Sequence, residues 1–202
     1  MATFYKDDPK ILVRDQNRFR KVYRYIRKKP RPLMCTGDTI SSFTWGSFYV
    51  EFNNQSLVTH NFPCCYGAVP VVVATSVETE SGVGLGNVNT FISNITADQA
   101  TFQTSALYTG RVHYQALLTG VYTMPNIGKT MEVVELSYSN TDTNTYNWDS
   151  NTNFTCIPIV TATASEDVNV FITAVSTSAI TVKVSDANYN GKVYLIAVER
   201  GC

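Results

Sequence analysis

The side chains best suited to ligate a metal or attack an electrophile are two histidines, His60 and His113, and five cysteines, Cys35, Cys64, Cys65, Cys156 and Cys202. Neighbouring Cys64 and Cys65 cannot both turn onto one ion without further ligands, and the histidines supply no zinc spacing. Carboxylate pairs at Glu78/Glu80 and Glu132/Glu135 have the composition of an acid and a base. The first pair adjoins the glycine-rich stretch Ser81–Gly86 and reads as solvated loop charge. That stretch, Gly82-Val83-Gly84-Leu85-Gly86, lacks the Lys-Ser/Thr that would cradle phosphate. No G-x-S-x-G elbow and no H-E-x-x-H helix occurs. Glu166-Asp167 and Asp142-Asn144-Asp149 offer oxygen to calcium at spacings unlike an EF-hand loop. Three Asn-x-Ser/Thr triplets begin at Asn54, Asn94 and Asn153, in a chain rich in Asn and Thr. No catalytic residue, metal ligand or cofactor is therefore expected, and His113 is expected to pack or pair on a strand.

The aromatic side chains hold the remaining chemistry. Tyr146 and Trp148 lie in Asn140–Asn153, a polar run without periodicity, and Tyr66 and Tyr189 lie among turn residues. These four rings suit stacking on a sugar or contact with a neighbouring subunit. The competing reading makes the run a polar hairpin with one buried ring.

Something must position these groups, and charge divides the chain in two. Met1–Pro32 holds eleven basic residues against three acidic ones, a local charge of +8, which leaves −8 for the remainder of a chain of zero net charge. Asp8-Pro9 is a helix-start signal. Ile11, Leu12, Phe19, Val22, Tyr23 and Ile26 follow at helical spacing with basic residues opposite, and Pro30 ends the pattern. The spacing predicts a basic helical arm over 1–34 whose docking residues are Arg14, Arg18, Phe19, Lys21, Tyr23, Arg24, Arg27 and Lys28. Such an arm suits a peg in a protein assembly, a nucleic-acid grip with Tyr23 and Tyr25 stacking, or a membrane-surface helix. It could also pack on its own domain. Opposed charges that steer docking favour the peg, so neither nucleic acid nor membrane is an expected partner. No apolar run approaches the roughly 20 residues of a membrane span, and the N-terminus lacks the apolar stretch of a secretory signal. The cysteines are accordingly expected to be reduced and inert.

After Gly37 the pattern becomes β. Charged residues are only 16% of the chain, while Tyr, Thr, Val, Asn and Ser abound. Strands are expected at Ser42–Phe52, Leu57–His60, Val69–Thr75, Val88–Asn94, Thr101–Thr104 and Val112–Leu118. The order then recurs. Pro158–Thr163 matches Pro70–Thr75, Asp167–Thr173 matches Asn87–Ser93, Thr181-Val182 matches Thr101-Phe102, and Val193–Ala197 matches Val112–Ala116, with Gly120 and Gly201 closing each copy. Met131–Tyr138 supplies the first strand of the second copy. The expected fold is all-β: two tandem antiparallel sandwich units, 35–120 and 121–202, related by internal duplication, with a junction between Gly120 and Lys129.

Each unit resembles the H-type lectin unit, a six-stranded sandwich that trimerises. The carriers are Phe62, Pro70–Val73, Ile95-Thr96 with Thr101-Phe102, and Val112–Ala116 in the first unit. In the second they are Pro158–Val160, Val175–Val182 and Val193–Ala197. Where that family's last strand carries a tryptophan before the alanine, this chain has Tyr114-Gln115 and Leu195-Ile196. A short anchor ahead of β modules also resembles the layout of tail, neck and head-fibre proteins of bacteriophages. The resemblance implies a non-enzymatic virion component made in the bacterial cytoplasm. It would assemble with itself, as a homotrimer or homohexamer, and with portal, adaptor, tail or capsid proteins. The lectin likeness implies, as the alternative, a carbohydrate-binding or receptor-binding module for a host surface glycan.

Overall fold

A computed structural model describes residues 45–62, 66–77, 88–124, 128–152 and 154–200. The expected arm, with its eight docking residues, lies outside the described residues, as do Glu78, Glu80 and the glycine-rich loop. The described residues belong to one compact unit and hold eleven strands and no helix.

The first sheet is built on two long antiparallel strands, β1 (Trp45–Asn61) and β4 (Gln99–Leu117). Strand β2 (Val71–Val77) pairs with the 111–117 half of β4, and β3 (Thr90–Ile95) with its 100–104 half. The expected strands divide each long strand in two, with gaps at Asn53–Ser56 and Ser105–Arg111. The chain instead stays paired and bends. Register shifts fall between Phe52 and Leu57, and Asn54 adopts φ 51°, a conformation asparagine tolerates better than most residues. The rings of Tyr114 and Phe102, twelve positions apart on β4, have centroids 4.7 Å apart. A straight strand would hold them roughly 40 Å apart. The two halves of the sheet therefore face each other. Between them Val50, Phe52, Val72, Val112, Tyr114 and Ala116 meet Ile92, Ala100, Phe102 and Phe62.

The second sheet has the order β5–β6–β11–β8, from β5 (Gly120–Thr123), β6 (Thr130–Ser137), β11 (Lys192–Val198) and β8 (Ile159–Ala164). The stretch expected to be a junction is thus partly a strand, and β5 and β6 pair as a hairpin. The third sheet, β7–β10–β9, comprises β7 (Thr143–Asn147), β10 (Ala179–Val184) and β9 (Val170–Val175). Val134, Leu136, Val193, Leu195 and Ala197 of the second sheet pack against Ile180, Val182 and Val184 of the third, with Tyr138, Trp148, Phe154 and Tyr189 closing the layer.

Side chains alternate across a strand, so one strand can serve two cores. Met131, Val133, Tyr194 and Ile196 leave the second sheet on its other face and join the core of the first. That sheet is buried on both sides, which explains why Val193–Ala197 is an unbroken apolar run. Residues from the expected second unit thereby help fill the core of the expected first.

Candidate functional site

The carboxylates that looked able to work as a pair are separated by the pleat of β6. Glu132 and Glu135, three positions apart, leave the strand on opposite faces. Glu132 is buried, accepting from the Tyr146 hydroxyl at 2.8 Å and from the Asp149 amide at 3.1 Å. Glu135 pairs with Lys192 at 2.8 Å. Both line an open groove of about 860 Å³ beside β5 with Thr119, Tyr146, Asp149 and Asn151. Asp149 is itself engaged, accepting from the Asn151 amide and side chain, each at 2.8 Å. Glu132 and Asp149 therefore anchor the turn after β7, while Glu135 is tied to β11.

The two candidate calcium clusters are likewise occupied by their own chain. Asp142 pairs with Lys183 at 3.1 Å, and Asp167 accepts from the Asn89 side chain at 2.9 Å. The described residues contain no group of three or more His, Cys, Asp or Glu arranged to hold a metal. Cys156 is disulfide-bonded, which corrects the expectation that every cysteine is reduced and inert. The other four cysteines lie outside the described residues.

Three of the four aromatic candidates point inward. Tyr66 is buried and donates to the Ala116 carbonyl at 3.1 Å. Trp148 is buried between Tyr146 and Phe154 in edge-on contacts, with its indole donating to the Ser176 carbonyl at 3.0 Å. Tyr189 is fully buried and donates to the Lys192 carbonyl at 2.8 Å. In this structure they are interior anchors and not surface contacts. Tyr146 is half-buried; burial first, then the Glu132 hydrogen bond, holds its phenol well above the usual range. The run Asn140–Asn153 contains one strand, β7, paired with β10 and not with a neighbouring strand, so it is no hairpin; of that reading only the buried ring, Trp148, is found.

A second buried carboxylate, Glu199, carries no sequence signal. It accepts from the Thr155 hydroxyl, from the Thr130 amide at 3.1 Å and from the Thr155 amide at 2.9 Å. These donors, the hydroxyl first, pull its pKa down to about 2. It ties the segment after β7 to the end of β11.

The exposed surface richest in recognition chemistry is the outer face of the first sheet. Ser47, Tyr49 and Glu51 of β1 stand opposite Gln115, His113 and Arg111 of β4. Tyr49 is half exposed; the Arg111 guanidinium sits 4.7 Å above its ring, and the His113 ring is 6.2 Å away. Arg111 donates through Nε and Nη2 to one oxygen of Glu51, at 3.1 and 2.9 Å. That pair is solvent-exposed, so it orients Arg111 more than it stabilises the fold. Beside this row a cleft of about 220 Å³ is lined by Ser47, Thr75, His113 and Gln115 of the first sheet and Thr161 and Thr163 of the second. Hydroxyls, an amide and an imidazole beside an exposed ring can bind a polyol or a polar protein surface. Sequence reasoning placed His113 on a strand but missed this face, although the alternation in Phe48–Glu51 and Arg111–Gln115 carries it. His60 lies instead near Tyr114, and burial lowers its pKa.

No protein-family model matches the chain, and no curated protein or solved structure shows significant similarity to it.

Proposed function

We propose that this chain is a structural component of a bacteriophage virion that docks through its basic N-terminal arm and associates with itself through its β body. The charge division, +8 over Met1–Pro32 against −8 over the rest, carries the reading. Such a division orients a protein on a larger particle and speeds its capture. The partners would be portal, adaptor, tail or capsid proteins, and the site of action the virion, assembled in the bacterial cytoplasm.

The repeated architecture supports a body built by internal duplication. The 111–117 half of β4 pairs with β1 and β2, as β11 pairs with β6 and β8; the other half pairs with β1 and β3, as β10 pairs with β7 and β9. Thr59 and Thr101 share a hydroxyl bond of 3.0 Å, and so do Thr145 and Thr181. The Asn89 amide donates to Ser105 Oγ at 2.9 Å, and the Asn169 amide to Ser185 Oγ at 3.0 Å. Each feature recurs about eighty residues on, in agreement with the matched sequence segments.

The test is to identify the protein in purified particles. Peptides of this chain should be found at a fixed ratio to a known capsid protein after density-gradient purification. Its confinement to the soluble fraction of the lysate would remove the reading.

A second reading, a carbohydrate-binding or receptor-binding module, is favoured by Tyr49 and the polar cleft beside it. It requires the purified protein to bind a host surface glycan and the Tyr49→Ala variant to lose that binding. A glycan array blank for both proteins would count decisively against it.

A further inference from the structure

The packing between the two halves of the body has a direction. Strand β2 lies across β11 and β6, and β3 lies against β8, whereas β8 makes no comparable packing on β1 or β4, and β9 none on β2. The contact is sealed by polar bonds. The Ala74 amide donates to Thr163 Oγ1 at 2.9 Å, and the Thr163 hydroxyl donates to the Ala74 carbonyl at 3.2 Å. Asn89 Nδ2 donates to Asp167 Oδ1 and to the Val168 carbonyl, each at 2.9 Å. The first half thus presents an inserting side, β2 and β3, and the second half a receiving face, β6, β11 and the Thr163 end of β8.

If the halves are copies, each has a second, unused member of this contact. Ile159 stands opposite Val198 on β11 as Val71 stands opposite Leu117 on β4. Val71 is 1% exposed and Ile159 is 64% exposed. On β9 of the second half, Phe171 and Ile172 are 51% and 40% exposed. On the receiving side, the cross-strand pairs Val133–Ile196 and Glu135–Tyr194 correspond to Ser47–Gln115 and Tyr49–His113. Val133, Tyr194 and Ile196 are buried in the core they share with β2, while Ser47, Tyr49 and His113 are open to solvent.

We propose that the β8–β9 side of one chain, centred on Ile159, docks on the outer β1–β4 face of a second copy, at Tyr49 and His113. This repeats between chains the contact that joins the halves within one. The inference rests on the reading of the body as duplicated and self-associating. Such a contact joins unlike surfaces, head to tail, and closes into a ring when its rotation allows. Every whole chain adds two units, so any closed ring holds an even number of them. The receiving face between chains is more polar than the one within, with Ser47, His113 and Gln115 standing where Val133, Tyr194 and Ile196 stand. The contact between chains is therefore the weaker, and it responds to protein concentration.

The test is sedimentation equilibrium of the full chain and three exposed-surface variants: Ile159→Asp, His113→Asp and, as a control, Leu107→Asp. The wild type and the control should associate with the same stoichiometry. Ile159→Asp and His113→Asp should each weaken association about tenfold or more, as losing an interface anchor does. An equimolar mixture of those two variants should form dimers, because each keeps the surface the other has lost. Unchanged association of both variants would overturn this interface while leaving self-association intact. Failure of the mixture to dimerise would overturn the head-to-tail arrangement. A wild type that is monomeric at every accessible concentration would remove both the interface and the self-association on which it rests.

Discussion

Tyr189 closes over Gly191 so tightly that a Cβ there would lie 2.5 Å from the phenol oxygen and 2.5 Å from the ring carbon bearing it. The hydroxyl reaches past this glycine to the Lys192 carbonyl and shares a 3.1 Å contact with Ser165 Oγ. Tyr108 covers Gly110 in the same way and donates to the Val77 carbonyl at 2.7 Å. In both places a buried tyrosine fastens an inner strand to the one beside it, Tyr189 at the start of β11 and Tyr108 in the middle of β4.

Gly191→Ala should therefore cost about 1–3 kcal/mol, because a fully buried ring must shift to admit one methyl group. Tyr189→Phe should cost about 1 kcal/mol for the lost hydrogen bond. Urea denaturation of both variants checks this. A Gly191→Ala protein as stable as the wild type would mean the ring is not held there.

Glu199 makes stability depend on acid. Its pKa is pulled from the ordinary 4.5 to about 2 in the folded chain, so folding favours the carboxylate. The stabilisation is fully present above about pH 4.5 and is lost as pH falls towards 2. Glu199→Gln should be less stable than the wild type at pH 6, and the difference should shrink steadily between pH 4.5 and 2. Urea midpoints measured across that window should converge, and parallel curves would show that the carboxylate is not so held.

Burial raises the phenols of Tyr122, Tyr138, Tyr146, Tyr189 and Tyr194, with Tyr138 and Tyr194 pushed up to about 12. Folding favours their neutral form, so the stability they add is present below pH 10 and declines above it. In an alkaline absorbance titration, part of the tyrosine signal should appear only together with the loss of tertiary structure. A single step near pH 10 for all twelve tyrosines, with the fold intact, would contradict the burial.

Trp148 separates an interior role from a ligand-binding one. Trp148→Ala should lose about 3–5 kcal/mol of stability, the cost of emptying a packed aromatic site. If the variant keeps its stability and loses a glycan interaction instead, the ring works at the surface.

The all-β architecture was legible because alternation and turn residues record it directly, and the paired order of Val71–Val77 and Ile159–Ala164 could be read from two similar strings. The continuity of β1 and β4 could not, because Asn53-Asn54-Gln55 carries the chemistry of a turn whether the chain reverses or only bends. Nor could the burial of Tyr66, Trp148 and Tyr189. Aromatic residues flanked by Asn and Gly look exposed in sequence, and only tertiary packing shows that each hydroxyl or indole meets a backbone carbonyl. The outer face holding Tyr49, Arg111 and His113 depends on strand segments more than sixty residues apart, Tyr49 opposite His113, lying side by side, which no local pattern specifies. Glu132 and Glu199 are held inside by a phenol, a threonine hydroxyl and backbone amides from distant segments, a feature without any signature in composition.

The most direct test of the proposed virion role is to complement a phage lacking this protein with either the full chain or a chain missing residues 1–34, and to measure each in purified particles. The full chain should be incorporated at a constant ratio to capsid protein, while the truncated chain should fold, remain soluble and be missing from the particles. Incorporation of the truncated chain at the full level would contradict docking through the arm, and the absence of both from the particles would contradict the virion role itself.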